Sequence, residues 1–168
     1  MTHDPARPAP WTRDGGYDGA YGDLADALGA LLEGETDALA NVANAAAALF
    51  AALPDLNWAG FYVLRGEELV LGPFQGRPAC VRIPLGRGVC GTAAAERRAL
   101  LVPDVSAFPG HIACDLASRS ELVVPLLDAS RLVGVLDLDS PRPGRFTLAD
   151  LEGCTRIAAL LAPHVAGL

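Results

Sequence analysis

The chain has 168 residues, of which 51% are hydrophobic and 20% charged, and its formal net charge is -7. This length fits one domain with a buried core, and the composition excludes a disordered chain, in which low hydrophobicity accompanies high charge. The acidic balance argues against nucleic acid as a partner, because a negative surface repels the phosphate backbone.

The N-terminal segment, residues 1–19, is polar and contains several Pro and Gly residues that would interrupt a helix. It lacks the apolar core of a secretory signal, and the longest apolar run, residues 45–53, is too short to cross a bilayer. We therefore predict a flexible leader over residues 1–19, a folded domain over residues 20–168, no membrane partner and a cytoplasmic location. Cysteines in that compartment are expected to be reduced thiols at rest, with transient disulfides if they react.

Helical and strand patterns follow each other along the rest of the chain. Residues 21–53 lack proline and place Leu and Ala at helical spacing, so they predict two consecutive helices with a break near Gly34. Thr147 is a good N-cap for a final helix that should reach about Leu161. Aromatic or β-branched runs between them predict short strands. These strands are residues 58–64, 68–74, 80–85, 99–102, 121–127 and 132–139, with a further helix over residues 88–98.

Short turns separate several of the neighbouring strands, which indicates an antiparallel sheet. The helices near the two ends of the chain would then cover one face of that sheet. This order of elements predicts an α+β domain built in layers around one core.

Three of the four cysteines, Cys80, Cys90 and Cys114, lie beside glycine or polar residues, whereas Cys154 lies within the predicted final helix. We interpret Cys154 as a small buried hydrophobic residue. The sequence contains no CxxC pair, and the only histidine near a cysteine is His111, so it predicts no metal site. For the three central cysteines, the spacing alone leaves redox chemistry and simple burial as equal alternatives.

Asp137 and Asp139 interrupt an otherwise apolar strand pattern, at positions that point to the same face of a strand. Two neighbouring carboxyl groups on a covered face repel each other, which predicts a raised pKa for at least one of them. From the residues alone, carboxylates that cap a turn or meet solvent are the favoured interpretation. Trp58 and Tyr62 share a face of the first strand and fit either an aromatic core or a pocket wall.

Five long motifs in the chain resemble the free methionine-(R)-sulfoxide reductase family, whose members are built on a GAF-type domain. The similarity extends over residues 21–161 and includes all three central cysteines, which GAF domains in general do not share. The motifs are NWAGFY (57–62), LGPFQGRPACVRIPLGRGVCGTA (71–93), DVSAFPGHIACD (104–115), SRSELVVPL (118–126) and GVLDLDSP (134–141).

The resemblance implies a GAF-like α+β domain, with an antiparallel sheet of about six strands packed with the N- and C-terminal helices. It implies reduction of free L-methionine (R)-sulfoxide by cysteine thiols, through a sulfenic acid and an intramolecular disulfide that thioredoxin reduces. No cofactor is expected, and family members tend to be homodimers.

Individual site residues follow from the same motifs. Cys114 matches the attacking thiol, and Cys80 and Cys90 match the other redox cysteines, with an exchange of roles between Cys90 and Cys114 left open. An acid near the sulfoxide oxygen would supply a proton, and acids would also bind the substrate ammonium group. The substrate-binding residues implied by the resemblance are Trp58, Tyr62, Glu121, Asp137 and Asp139.

Three further features have two interpretations each. Residues 86–88 precede a helix, so their N–H groups could bind the substrate carboxylate, although Gly-rich turns are common there. His111 could pair with Cys114 as imidazolium and thiolate, but a loop-packing histidine is the favoured interpretation. The arginines Arg77, Arg82 and Arg87 could form a docking patch or simply meet solvent.

Two other classes of function compete with the reductase. A non-catalytic GAF module would bind a small ligand or sense redox state, but it would not require three placed cysteines. A structural dimerisation domain would not explain Asp137 and Asp139 in an apolar strand.

Overall fold

The computed structural model describes residues 21–112 and 114–168, so the predicted leader over residues 1–19 lies outside the described residues. No helix within these two ranges is long and apolar enough to cross a membrane. The helices are α1 (Tyr21–Leu32), α2 (Ala38–Ala52), α3 (Gly88–Glu96) and α4 (Leu148–Ala166), with a 3-10 helix at Val105–Ala107. The strands are β1 (Trp58–Arg65), β2 (Glu68–Gly76), β3 (Arg82–Pro84), β4 (Leu100–Val102), β5 (Ser120–Asp128) and β6 (Arg131–Ser140).

The predicted break between the first two helices is confirmed. Gly34 has a φ of +81°, which L side chains rarely adopt, and the side chain of Asp37 then caps α2 by accepting the Ala40 N–H at 2.8 Å. The last helix continues beyond the predicted end at Leu161 and contains Pro163. Its final turn is retained because Val165 is fully buried in the core.

The six strands form one antiparallel sheet in the order β3-β2-β1-β6-β5-β4. The turn between β5 and β6 contains Ala129 and Ser130, both with positive φ, as a two-residue hairpin turn of type I′ requires. The third strand is shorter than predicted: it comprises only Arg82–Pro84, because Cys80 leaves the sheet to form a covalent bond with another segment.

The two faces of the sheet pack against different layers. Phe61 and Leu136 belong to a core formed with α1, α2 and α4, so the prediction that the terminal helices cover one face is confirmed. Cys154 lies in this core with no exposed surface, as predicted. On the opposite face, Trp58 and Tyr62 pack with residues of α3. The predicted α+β architecture with an antiparallel six-stranded sheet is confirmed.

The start of α4 is held by a capping box, in which Thr147 and Asp150 each bond the other's main chain. The Tyr21 hydroxyl of α1 and the Arg145 guanidinium also donate to Asp150, at 2.5 and 2.8 Å. Burial alone would raise the pKa of Asp150, but these hydrogen bonds together lower it. The network fixes α1 against α4 on the face of the sheet that lies away from the site described below.

Candidate active site

The strand register brings acidic and aromatic residues together on one face of the sheet. Asp139 on β6 lies directly between Trp58 on β1 and Glu121 on β5. Asp137, two residues earlier on β6, lies opposite Gly60 on β1. Because side chains alternate along a strand and directly paired residues share a face, these groups converge above the central strands. Asp137 and Asp139 therefore share a face, as predicted.

Three aromatic rings form one wall of the site. Trp58 stacks on Tyr62 and on Phe74, with ring centroids 5.8 and 5.3 Å apart. Gly60 makes this stack possible, since a Cβ atom there would lie 2.4 Å from the Phe74 Cβ and 2.6 Å from the Trp58 ring. Phe74 and Gly60 were not predicted as site residues, although both lie within the sequence motifs quoted above.

A cavity of about 40 Å³ lies between this face, α3 and the loop before β5. Every predicted site residue except Cys80 lines the cavity. These lining residues are Trp58, Tyr62, Cys90, Cys114, Glu121, Asp137 and Asp139.

Cys80 and Cys114 are joined by a disulfide bond, with their Cα atoms 5.3 Å apart. Cys80 lies in the segment between β2 and β3, and Cys114 lies in the loop between the 3-10 helix and β5. The disulfide connects these two segments at the edge of the cavity, which Cys114 itself lines. Among the described cysteines, Cys90 and Cys154 are free thiols, and both are buried.

Side chains of β1 hold the Cys80 segment in place. The indole Nε1–H of Trp58 donates to the Arg77 carbonyl at 3.1 Å, and the Tyr62 hydroxyl donates to the Cys80 carbonyl, also at 3.1 Å. Both bonds satisfy polar atoms of side chains that are otherwise buried. The two aromatic residues therefore form the wall of the cavity and also fix one half of the disulfide.

Asn57, the residue before β1, holds the segment that follows Cys114, on the other side of the disulfide. Its Nδ2 donates to the Asp115 carboxylate at 3.1 Å and to the Ser118 hydroxyl at 3.0 Å. This anchor was missed by the sequence analysis, which quoted Asn57 only as part of a motif. The one available signal was a polar residue directly before an aromatic strand, and that signal does not identify partners about 60 residues away.

The three acids of the cavity have raised pKa values, mainly because they are buried. Burial raises the pKa of Asp137 to about 7. Burial, followed by the charge on Asp137, raises the pKa of both Glu121 and Asp139 well above the ordinary range. The predicted rise is therefore confirmed, but burial contributes more than the predicted charge repulsion. The Oδ1 atom of Asp137 is buried with no hydrogen-bond partner in the described structure, so it is free to accept one from a ligand.

Cys90 contacts the same acids from α3. Its Sγ lies 3.7 Å from Oε1 of Glu121, a contact in which the thiol donates. Burial and then the charges on Asp137 and Glu121 raise the pKa of Cys90, so the thiol is held in its neutral form. Ligand atoms of these three residues lie within 4.8 Å of one another and could surround a cation.

His111 faces an acid rather than Cys114. Its Nε2 lies 3.9 Å from Oε2 of Glu121, and burial lowers the pKa of His111. The shifts of both residues favour their neutral forms, so this contact is not a strong ion pair. In the predicted carboxylate-binding turn, the N–H groups of Gly86 and Arg87 already bond main-chain carbonyls. Gly88, at the first turn of α3, does line the cavity.

The sheet order, the helices on its faces and the cavity above its central strands define a GAF-type domain. The GAF domain model matches residues 27–165. The free methionine-R-sulfoxide reductase of Escherichia coli (strain K12) is 54% identical to the chain over 84% of it and 86% of the relative. The enzyme of that name from Saccharomyces cerevisiae is 42% identical over 78% of the chain and 77% of the relative.

A solved structure extends the similarity to three dimensions. The free methionine-R-sulfoxide reductase from Neisseria meningitidis, in complex with its substrate, superposes with a TM-score of 0.83 at 44% identity, covering 88% of this chain and 89% of that one. The chain belongs to the free methionine-R-sulfoxide reductase family of GAF-domain proteins. It is therefore an oxidoreductase that acts on sulfur.

Proposed function

We propose that the chain reduces free L-methionine (R)-sulfoxide to L-methionine with cysteine thiols. The observation that carries this proposal is the Cys80–Cys114 disulfide at the edge of a cavity lined by aromatic residues and buried acids. A non-catalytic ligand-binding module would need the cavity but not the disulfide. The free substrate is supported by the named relatives and by the complex of the Neisseria meningitidis enzyme.

The cavity has a suitable group for each part of the substrate. The stacked rings of Trp58 and Tyr62 offer an apolar surface to the S-methyl group, since thioethers pack well against aromatic rings. The unpaired Oδ1 of Asp137 can accept a hydrogen bond from the substrate ammonium. The first turn of α3, at Gly88, can receive the carboxylate, because a helix N-terminus favours anions.

The chemical step transfers one oxygen atom. The Cys114 thiolate attacks the sulfoxide sulfur while an acid donates a proton to the oxygen. The oxygen then moves to Cys114 as the sulfur–oxygen bond of the substrate breaks, which leaves methionine and a sulfenic acid. Glu121 is suited to the role of acid, because burial raises its pKa and keeps the carboxyl group protonated.

A second thiol then removes the sulfenic acid. The Cys80 thiol attacks Cys114, water leaves, and the disulfide forms. The buried Cys90, whose pKa is raised, is less suited to attack as a thiolate and is assigned to the acid cluster. A protein dithiol such as thioredoxin supplies two electrons to restore both thiols. This cycle requires no metal or organic cofactor and suits the reducing cytoplasm.

The test is methionine formation from the separated R and S epimers of free methionine sulfoxide, with dithiothreitol as reductant. We expect the wild type to use the R epimer, and Cys114→Ser to lose activity. Pre-reduced Cys80→Ser, freed of dithiothreitol, should form about one methionine per chain and then stop, because no second thiol removes the sulfenic acid. Cys154→Ala, which removes a thiol from the opposite core, is the matched control and should remain active. Absence of R-epimer reduction by the reduced wild type would leave the ligand-binding module as the better account.

The proposed enzyme is a homodimer, as its family resemblance implies. One apolar surface is available for such contact: a groove between α2 and β2, where Leu39 is 60% exposed beside Leu71 and Pro73. Light scattering of the purified chain measures the mass directly, and a monomer mass would remove the dimer from this proposal.

A further inference from the structure

Two exposed apolar side chains flank the cysteines of the disulfide. Val81 follows Cys80 directly and is 62% exposed, and Leu116, two residues after Cys114, is 90% exposed. Few large hydrophobic residues in the described structure are this exposed, and most others lie away from the cavity. Isolated exposed leucines are common, but two beside one reactive bond call for a specific explanation.

We propose that Val81 and Leu116 form the docking surface for the protein dithiol that reduces the Cys80–Cys114 disulfide. This inference rests on the proposed function, which requires that disulfide to be reduced in every cycle. The partner is a protein dithiol of the thioredoxin type, which must bring its reactive thiol against this surface.

Covalent geometry keeps this surface next to the reacting atoms. The Cα of Val81 lies about 3.8 Å from that of Cys80, and two such steps bound the distance from Cys114 to Leu116. The Cα atoms of Cys80 and Cys114 are 5.3 Å apart. Both apolar side chains are therefore attached within about 8 Å of the Cα of a cysteine whose sulfur the partner thiol must reach.

The charge around the disulfide favours an acidic partner. The segment over residues 77–87 contains Arg77, Arg82 and Arg87 but no acid, in a chain whose net charge is -7. The Arg77 side chain is 77% exposed and only loosely paired, at 3.9 Å from Asp115. Arg82 is paired with Glu68, so Arg77 and Arg87 are the cations available for contact.

Reduction proceeds by two thiol–disulfide exchanges. A thiolate of the partner attacks Sγ of Cys80, the bond to Cys114 breaks, and Cys114 leaves as a thiolate that takes up a proton. The second partner thiol then attacks the mixed disulfide and releases the Cys80 thiol. Two electrons pass to the chain, and the partner is left with the disulfide.

The test compares a protein reductant with a small one on the oxidised full chain, without sulfoxide. The rate of disulfide loss is measured by acid quench, alkylation and mass spectrometry, with reduced thioredoxin or with dithiothreitol. The variants are Val81→Asp, Leu116→Asp and the double variant. Leu148→Asp is the matched control, because Leu148 is 73% exposed at the start of α4, away from the disulfide.

We expect the double variant to react with thioredoxin at least about tenfold more slowly, since a charge replaces apolar contact. Its rate with dithiothreitol should stay within about twofold of the wild type, because a small thiol needs no docking surface. Equal slowing of the Leu148→Asp control, or an unchanged thioredoxin rate in the double variant, would overturn the proposal. Because the assay contains no sulfoxide, its result is independent of whether the chain reduces methionine sulfoxide.

Discussion

The hydroxyl of Tyr62 donates a hydrogen bond of 3.1 Å to the main-chain carbonyl of Cys80. A side chain in the central sheet is thereby connected to the segment that carries one sulfur of the disulfide. The ring of the same residue lines the cavity and stacks on Trp58. The cavity wall and the position of the Cys80 segment therefore depend on one residue.

Tyr62→Phe should separate these two roles. The variant keeps the ring but loses the hydrogen bond, so we expect methionine release in the first turnover to be nearly unchanged and disulfide formation to slow by about three- to tenfold. Rapid quench with alkylation measures both events in one experiment. Tyr21→Phe is the control, since it removes a hydroxyl from the Asp150 network on the opposite face of the sheet. Equal rates of disulfide formation in Tyr62→Phe and wild type would contradict the anchoring role.

Gly60→Ala should destabilise the fold and displace the aromatic wall. The new Cβ would lie 2.4 Å from the Cβ of Phe74, and relieving that clash is expected to cost about 1–3 kcal/mol of unfolding free energy. Gly29→Ala is the matched control in α1, where a Cβ meets nothing within 4 Å and the change should stabilise the helix by about 1 kcal/mol. Urea unfolding compares the two, and a Gly60→Ala protein as stable as wild type would contradict the close packing.

Stability should fall as pH rises toward alkaline values. Burial raises the pKa of Asp137 to about 7 in the folded protein, so the folded state binds a proton that the unfolded chain has already released. This contribution is fully present below the ordinary carboxyl pKa and is lost as pH rises through about 7. Glu121 and Asp139, whose pKa values are also raised, act in the same direction.

Asp137→Asn isolates this effect. We expect unfolding free energy to decline less steeply between about pH 5 and about pH 9 in the variant than in the wild type. Asp104→Asn is the control: Ser106 hydrogen bonds lower the pKa of Asp104, so this carboxyl is charged throughout the window and its loss should not change the slope. Parallel curves for Asp137→Asn and wild type would show that Asp137 is not the buried acid that titrates.

Neither free thiol of the oxidised protein should react readily with iodoacetamide at mildly alkaline pH. Cys90 and Cys154 are buried, and burial raises the pKa of Cys154 to about 12 and that of Cys90 well above its ordinary value. Alkylation at two sites should appear only after denaturation, and at Cys80 and Cys114 after mild reduction of the folded protein. Mass spectrometry identifies the sites. Fast modification of Cys90 in the folded protein would contradict its assignment to the acid cluster and make it a candidate nucleophile.

Local sequence rules predicted much of the fold, because the relevant forces act over a few residues. Gly34 separates two helices, Thr147 caps the last helix, and alternation along β6 placed Asp137 and Asp139 on one face. The end of α4 was placed too early, because burial of Val165 outweighs the helix-breaking tendency of proline.

Long-range contacts of the site could not be predicted in the same way. Asn57 finds Asp115 and Ser118 only because the fold brings β1 beside the loop before β5. The orientation of His111 toward Glu121 likewise depends on tertiary packing. The cause of the raised acid pKa values was misjudged for a related reason: neighbouring charges are visible in a sequence, whereas the depth of burial is not.

The disulfide links residues 34 apart and so closes a covalent ring around β3, α3 and β4. A ring of this size restricts the unfolded chain, and in the loop-entropy description this restriction stabilises the folded state by about 4 kcal/mol. In the proposed cycle the ring opens and closes with every turnover, so resistance to unfolding changes with the supply of electrons. When reductant is scarce, the oxidised form, with its ring closed, would accumulate. Proteases attack this form least readily, and it would regain activity on reduction.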